Sequence, residues 1–161
     1  MFLNAVNGAR SFGGNIVLKA AYKPGNSPAA IDFHGGNATF DTNSVLDMEI
    51  LGSTPGTQYD RLYNIDHLSF NGTLNLIFGN GYTPTAGSSL DLFGFTVFSG
   101  LFDPAKINVA GFDRSLLDFS QLSINGKLGV TAAPVPLPPA VWLFGSALAG
   151  LAVIGLRRRT V

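Results

Sequence analysis

The chain has 161 residues, of which 46% are hydrophobic, and its ten acidic residues are balanced by ten basic ones. That length allows one domain with a modest core in addition to a terminal segment. Cysteine is absent from the sequence, which excludes disulfides, thiolate catalysis and zinc-cysteine sites. Three of the basic residues are Arg157–Arg159, so the chain before them is mildly acidic and a poor candidate for binding nucleic acid.

Short alternating apolar runs, separated by Gly, Asn, Pro and Ser clusters, fill most of the chain and predict a mainly β fold. In the segment 45–51, apolar residues alternate with acidic ones, as in a strand buried on one face. Similar runs predict strands at Ile31–Phe33, Leu68–Phe70, Leu74–Phe78, Leu90–Phe98, Ile107–Val109, Leu122–Ile124 and Lys127–Val130. Before residue 139, only Arg114–Leu122 has a spacing that allows one or two turns of helix.

Two segments repeat each other: Leu68–Leu76 and Leu122–Val130 share Leu, Ser, Asn, Gly and Leu at matching positions. Each predicts a strand, an Asn-Gly turn and a second strand. Asn-Gly tolerates positive φ, so it suits a two-residue hairpin, but it suits the sharp corner of a β-solenoid equally well. The repeat by itself leaves both arrangements open.

Several Gly-rich segments resemble the passenger regions of autotransporter-like proteins and the β-rich parts of many PEP-CTERM proteins. They are Pro24–Pro28, Gly36–Phe40, Leu46–Gly52, Pro55–Leu62, Gly72–Leu74 and Gly81–Gly87. The resemblance implies a β-solenoid-like end region, a parallel β-helix, over residues 1–130. The alternative is an antiparallel β-sandwich.

Residues that could perform catalysis are scarce. His34 and His67 lack a metal-binding spacing and a carboxylate partner in a recognised motif. Asp66 precedes His67 in a strand-like stretch, where adjacent side chains point to opposite faces, so we expect solvated histidines. No nucleophile elbow, phosphate loop or dinucleotide fingerprint is present, and Ser88-Ser89 belongs to a turn. We therefore expect a protein that is not an enzyme, with no catalytic residue and no cofactor.

Three pairs of oxygen-bearing residues are spaced as Ca²⁺ ligands sometimes are. They are Asp41 with Asn43, Asp47 with Glu49, and Asn64 with Asp66. None continues into a complete calcium loop, so solvated strand faces explain them better and no metal site is predicted.

Aromatic residues offer one candidate binding surface, a platform on which sugars of an extracellular polysaccharide would stack. Its members are Phe93, Phe95, Phe98, Phe102, Phe112, Tyr59, Tyr63 and Tyr82. A core role is favoured instead, because Phe93 and Phe95 have the parity of core residues on one strand and large apolar side chains are mostly buried.

An apolar run without charges extends from Ala140 to Leu156 and predicts a transmembrane helix. It would be about 25 Å long, at the short end of what crosses a bilayer. Its marker residues are Ala140, Trp142, Gly145, Gly150 and Leu156. Trp142 suits the headgroup region, and the cluster Arg157, Arg158 and Arg159 predicts a cytoplasmic end at residues 157–161. A buried C-terminal core helix is the alternative.

A Pro-rich segment, residues 131–139, precedes the helix and contains Val135, Pro136, Leu137 and Pro138. Motif, helix and basic cluster together resemble the VPLPA type of PEP-CTERM sorting signal, although Pro139 stands where that motif has Ala. The resemblance implies recognition, and cutting near the motif, by an exosortase, a membrane-embedded cysteine transpeptidase-like enzyme. Two prolines also hold an extended strand that a protease cleft can grip.

Export would require a leader, yet the first ten residues lack the basic, apolar and small-residue regions of a secretory signal. We therefore expect residues 1–130 to be an N-terminally truncated piece of a longer protein. That β-rich piece would lie outside the cytoplasm, tethered to the inner membrane of a bacterial envelope, then at the surface or secreted after processing.

Two classes of function follow from these expectations. The first is a non-enzymatic surface or extracellular-matrix protein whose partners are the membrane, the processing enzyme and an extracellular polysaccharide. The alternative is a carbohydrate-binding or degrading exoprotein whose active domain lies upstream. A third possibility is a single-pass membrane protein whose tail is never cut.

Overall fold

The computed structural model describes residues 11–25 and 28–131, together with the backbone of residues 2–3 and 6–8. The strands in chain order are β1 Phe2–Leu3, β2 Val6–Gly8, β3 Ile16–Leu18, β4 Ala21–Pro24, β5 Ala30–Phe40, β6 Val45–Ile50, β7 Arg61–Phe70, β8 Thr73–Phe78, β9 Ser89–Asp91, β10 Phe93–Gly100, β11 Ile107–Ala110, β12 Leu117–Asp118 and β13 Lys127–Val130. The helical elements are two 3₁₀ turns, Pro104–Lys106 and Arg114–Leu116, and a short α-helix, α1, Leu122–Asn125. The fold is mainly β, as the sequence predicts.

Successive strands alternate between two five-stranded sheets. The first has the order β1-β3-β5-β7-β10, and the second has the order β11-β8-β6-β4-β2. Neighbouring strands in both sheets are parallel. The antiparallel sandwich is therefore wrong for these sheets. After each strand the chain passes to the other sheet, and the next strand of the first sheet then lies parallel to the earlier one. We call each pair of consecutive strands, one from each sheet, a layer.

The parallel register stacks apolar side chains into continuous rows between the two sheets. In the second sheet Tyr22 pairs with Leu46, Leu46 with Leu74, and Leu74 with Ile107. These four side chains are at most 2% exposed. Each fully buried leucine of such a row contributes about 1.5–3 kcal/mol to stability. A layer obtains this burial only from its neighbours, so the rows join the layers into one core.

The alternation predicted for segment 45–51 is confirmed in β6, where Leu46, Met48 and Ile50 are all fully buried. Predicted strands that fall within observed ones are Ile31–Phe33, Leu68–Phe70, Leu74–Phe78, Ile107–Val109 and Lys127–Val130. The predicted strand Leu90–Phe98 is divided into β9 and β10 at Leu92, whose N–H donates to the carbonyl of Gly126.

A third, antiparallel sheet of β12, β13 and β9 lies at the C-terminal end of the layers. With α1 it places Leu122 and Leu128, both fully buried, against the end of the core. The strand predicted at Leu122–Ile124 is wrong, because this segment forms α1, and the predicted helix over Arg114–Leu122 is reduced to a single 3₁₀ turn. Asp113 caps that turn by accepting a hydrogen bond from Ser115 N, and the chain then extends into β12.

The two Asn-Gly copies have different structures. Asn71-Gly72 forms a corner between β7 and β8, which lie in different sheets, so the hairpin is wrong here. Gly126 ends α1 with φ 74°, a left-handed conformation that glycine adopts without penalty. Gly72 is required for a different reason: a Cβ there would lie 2.2 Å from Ser44 Oγ and 2.7 Å from the Ser44 carbonyl oxygen. Close packing of corners in adjacent layers thus excludes any side chain at this position.

The predicted transmembrane helix 140–156 and the segments on either side of it lie outside the described residues. Within the part of the chain that is described, no helix has both the length and the apolar character needed to cross a membrane.

Substituting Gly72→Ala tests how tightly the corners stack. We expect it to lower the free energy of unfolding by about 1–3 kcal/mol, because the added methyl displaces Ser44. Urea unfolding measures the change. The control is Gly13→Ala, where a Cβ meets nothing within 4 Å, and it should stay within about 0.5 kcal/mol of the natural chain. Equal stabilities for the two variants would contradict this packing.

Candidate functional site

The residues predicted to form the sorting signal and membrane helix lie outside the described part of the chain. They are Val135, Pro136, Leu137, Pro138, Ala140, Trp142, Gly145, Gly150, Leu156, Arg157, Arg158 and Arg159. The chain leaves the described part at Thr131, whose N–H donates to the carbonyl of Leu116 at 2.9 Å. The Pro-rich segment therefore starts beside the C-terminal cap of the layers.

The aromatic residues do not form one exposed platform. Phe93, Phe102 and Tyr59 are at most 6% exposed, so the core interpretation is confirmed for them. Phe95 and Phe98 are partly buried, and their ring centroids lie 5.6 Å apart at the end of the core. Both side chains continue the inward rows, but they lie on β10, the last strand of the first sheet. No further strand of that sheet among the described residues covers them.

The paired oxygen donors are used within the fold. Asp41 accepts a hydrogen bond from Asn43 N at 2.9 Å, and Glu49 forms an ion pair with Lys23 at 2.7 Å. Asp47 accepts from the side chain of Asn75 at 2.7 Å. Across residues 11–25 and 28–131, no three His, Asp or Glu side chains come close enough together to hold a metal ion.

A polar ladder runs along the outer face of the second sheet. Asn108 donates its side-chain amide to Asn75 at 2.8 Å, and Asn75 in turn donates to Asp47. These residues occupy the same position in β11, β8 and β6, so the parallel register brings them together. The ladder satisfies the side chains of three layers and leaves a hydrophilic outer surface.

Both histidines lie on the first sheet, and each contacts a serine. His67 Nε2 is 2.8 Å from Ser99 Oγ in the neighbouring strand. His34 Nε2 hydrogen-bonds to Ser11 Oγ. The pair of His34 and Ser11 differs from the pair of His67 and Ser99 because a carboxylate lies close to Nδ1 of His34.

That carboxylate belongs to Asp32, whose Oδ2 lies 3.6 Å from His34 Nδ1. Its Oδ1 accepts hydrogen bonds from His34 N at 2.7 Å and from Asn64 Nδ2 at 3.0 Å. The hydrogen bond from His34 N–H is the main reason that the pKa of Asp32 lies below its usual range, so this side chain is an anion at neutral pH. Ser11, His34 and Asp32 thus form a chain of hydroxyl, imidazole and carboxylate groups.

A local irregularity in β5 and β7 builds this arrangement. The register between the two strands shifts between Asp32 and Gly36, which makes a bulge. His34 has φ 49° and Gly35 has φ 74°, and Asn64 in the adjacent strand is also left-handed at φ 58°. Bulges re-aim side chains and occur often at functional sites. Here the bulge folds the N–H of His34 back onto Asp32.

Ser11 is held in place by its neighbour Phe12. The N–H of Phe12 donates to the carbonyl of Asp32 at 2.9 Å, and its ring is 5% exposed. The ring centroid lies 5.2 Å from that of Phe33 and 5.9 Å from that of Tyr22. The core therefore fixes the backbone directly beside the serine, while Ser11 itself and His34 stay exposed to solvent.

The sequence offers no carboxylate partner for His34 in a recognised motif, yet the structure places Asp32 beside it. The signal was present in the spacing Asp32-x-His34, since residues two apart in a strand share a face. Ser11 gave no such signal, because it comes from an earlier layer and its approach depends on the stacking. The solvent-exposed state expected for His34 is confirmed.

A second carboxylate, Asp60, is fully buried and links three segments of the chain. Its Oδ1 accepts from Ala29 N at 2.7 Å, and its Oδ2 accepts from Glu49 N at 2.7 Å. Burial raises its pKa to about 6, against the opposing effect of the two N–H donors. Asp60 therefore joins adjacent layers. Among the groups with a shifted pKa, it is the buried one whose pKa lies closest to neutral pH.

The titration of Asp60 predicts a pH dependence of stability. Because its folded pKa is about 6 and the reference value is 3.8, the folded state binds more protons between these values. The resulting stabilisation is complete below pH 3.8 and is lost as the pH rises through about 6. It amounts to at most about 3 kcal/mol. The free energy of unfolding should therefore increase as the pH falls from 7 to about 5.

Urea unfolding at several pH values measures this trend, and Asp60→Asn is the control because it cannot titrate. Asp32, Asp113 and Asp118 have lowered pKa values and act below this pH window. A natural chain and an Asp60→Asn variant with the same slope between pH 7 and about 5 would refute the role of Asp60.

The chain matches no protein-family model, no curated protein and no solved structure.

Proposed function

We propose that the chain is an exported bacterial surface or extracellular-matrix protein, carried to its place by a C-terminal exosortase-type sorting signal. The observation that carries the proposal is the order of three segments in the tail: the motif Val135–Pro138, the apolar run 140–156 and the cluster Arg157–Arg159. Each segment is common by itself. Their succession in this order supports a sorting signal.

The physical roles of the tail segments support the proposal. The apolar run is long enough to hold the chain in a bilayer as a helix, and the arginines keep their end on the cytoplasmic side. The residues from Thr131 to Ala140 span at most about 30 Å when extended. The β-rich body would thus remain next to the outer surface of the inner membrane, with Val135–Pro138 accessible to a membrane-embedded protease.

The β-rich body would be the end region of a β-solenoid. This is supported by the alternation of successive strands between two parallel sheets and by the stacked apolar rows inside them. The hydrophilic ladder of Asp47, Asn75 and Asn108 suits an outer wall that faces water or an extracellular polysaccharide. A protein of this kind presents a long, regular surface, which is what a matrix component requires.

Deleting residues 135–161 in the native host tests the sorting role. We expect the amount of the shortened protein in the envelope and surface fractions to fall by about tenfold or more, because it lacks the segment that would retain it at the membrane. Immunoblots of fractionated cells measure the distribution. The double variant Pro136→Ala and Pro138→Ala should instead accumulate in the membrane fraction as an uncut chain.

The matched control is Lys127→Ala, an exposed residue of β13 just before the tail. It should be distributed like the natural protein. If deletion of the tail leaves the distribution unchanged, or if the control behaves like the deletion, the tail is not a sorting signal.

A further inference from the structure

The Ser11–His34–Asp32 arrangement has the parts of a nucleophile activated through a histidine. A carboxylate beside Nδ1 favours the tautomer with its proton on that nitrogen, which leaves the Nε2 lone pair free to accept. Ser11 Oγ is the group that faces Nε2. The serine proton therefore has a base to receive it, and the positive charge that forms on His34 lies beside an anion.

The arrangement is held from several sides. Asp32 is fixed by donors from His34 and Asn64, so its second oxygen remains directed toward the ring of His34. Ser11 is fixed through the buried ring of Phe12. His34 also has a left-handed backbone conformation, and strained positions of this kind cluster at functional sites.

Gly13 and Gly14, which follow Ser11 and Phe12, have open space around them. A Cβ added at Gly13 or Gly14 would meet nothing within 4 Å, so this loop is open to solvent.

We propose that Ser11, His34 and Asp32 form an acyl-transfer site that acts on exposed carboxylic esters, such as acyl groups carried by an extracellular polymer. Ser11 Oγ attacks the carbonyl carbon while its proton moves to His34 Nε2. The C–O bond to the alcohol then breaks, and the alcohol leaves with that proton. Water attacks the resulting Ser11 ester in the same way, which releases the acid and restores the serine. This activity goes beyond the sorting and display role and does not depend on it.

Esters are the expected class because the site is open. Without walls it offers little binding energy to twist or orient an amide, whose leaving group is much poorer. Such a site supports a slow reaction with activated esters and with fluorophosphonates. In the reaction with a fluorophosphonate, the Ser11 Oγ–P bond forms, the P–F bond breaks, and fluoride leaves as His34 takes the proton.

The experiment treats the purified full chain with a fluorescent fluorophosphonate and locates the label by peptide mass spectrometry. We expect the label on Ser11, no label there in Ser11→Ala, and a labelling rate about 100-fold lower in His34→Asn. Asp32→Asn keeps an oxygen for the N–H of His34 but removes the charge, so its rate should fall by about tenfold or more. Hydrolysis of p-nitrophenyl acetate should decline in the same order.

The chain supplies its own control in the pair His67 and Ser99, which forms a similar hydrogen bond without a paired carboxylate. His67→Asn and Ser99→Ala should label at the natural rate. Circular dichroism and the thermal midpoint establish that each variant is folded. An unlabelled Ser11 in folded natural protein, or a His34→Asn rate equal to the natural one, would overturn the proposal. Equal losses in the His34 and His67 variants would overturn it too.

Discussion

The stacking of inward apolar side chains across parallel strands is the interaction on which the rest of this protein depends. A layer such as β5 with β6 is too thin to have a core of its own, and Leu46 is fully buried with Tyr22 and Leu74 on either side of it. The same stacking brings the corners so close that Gly72 tolerates no side chain. The same register aligns polar side chains on the outer face of the second sheet, where Asp47, Asn75 and Asn108 form one hydrogen-bonded row.

Stacking also explains why the ends of the layers differ from the middle. The last layer has no successor among the described residues, and there the chain turns back into an antiparallel sheet and α1. Leu122 and Leu128 of this cap cover part of the open core. Phe95 and Phe98 remain partly exposed beside it. Thr131, the last residue that the structure describes, hydrogen-bonds to Leu116 at this capped end.

The sequence was informative wherever one strand's own alternation decides the structure. Segment 45–51 shows its buried face directly, because neighbouring side chains point to opposite sides. The sequence was not informative about which strands pair. Thr39 and Ser69 become register partners across β6 and two connecting segments of different length, and no local pattern encodes that pairing. The segment Leu122–Ile124 misled for a related reason: its apolar spacing fits a strand, but Gly126 ends it as a short helix against the core.

The candidate site shows the same division. Asp32 and His34 could be associated from their spacing, because residues two apart on a strand share a face. Ser11 could not, because the packing of Phe12 and its hydrogen bond to Asp32, which bring Ser11 to His34, depend on the folded layers. The bulge was also hidden, since it depends on a register shift between two strands. Sites made by stacking are therefore visible only once the layers are in place.

Parallel stacking can be measured directly because the natural chain has no cysteine. Thr39 and Ser69 are register partners on adjacent strands, and Ser69 is in turn the partner of Ser99. Thr39→Cys with Ser69→Cys should form an intramolecular disulfide under mild oxidation, because paired strands lie about 5 Å apart. Thr39→Cys with Ser99→Cys, two strands apart at about 10 Å, should not. Failure of the first pair, or equal cross-linking of both, would contradict the stacked parallel layers.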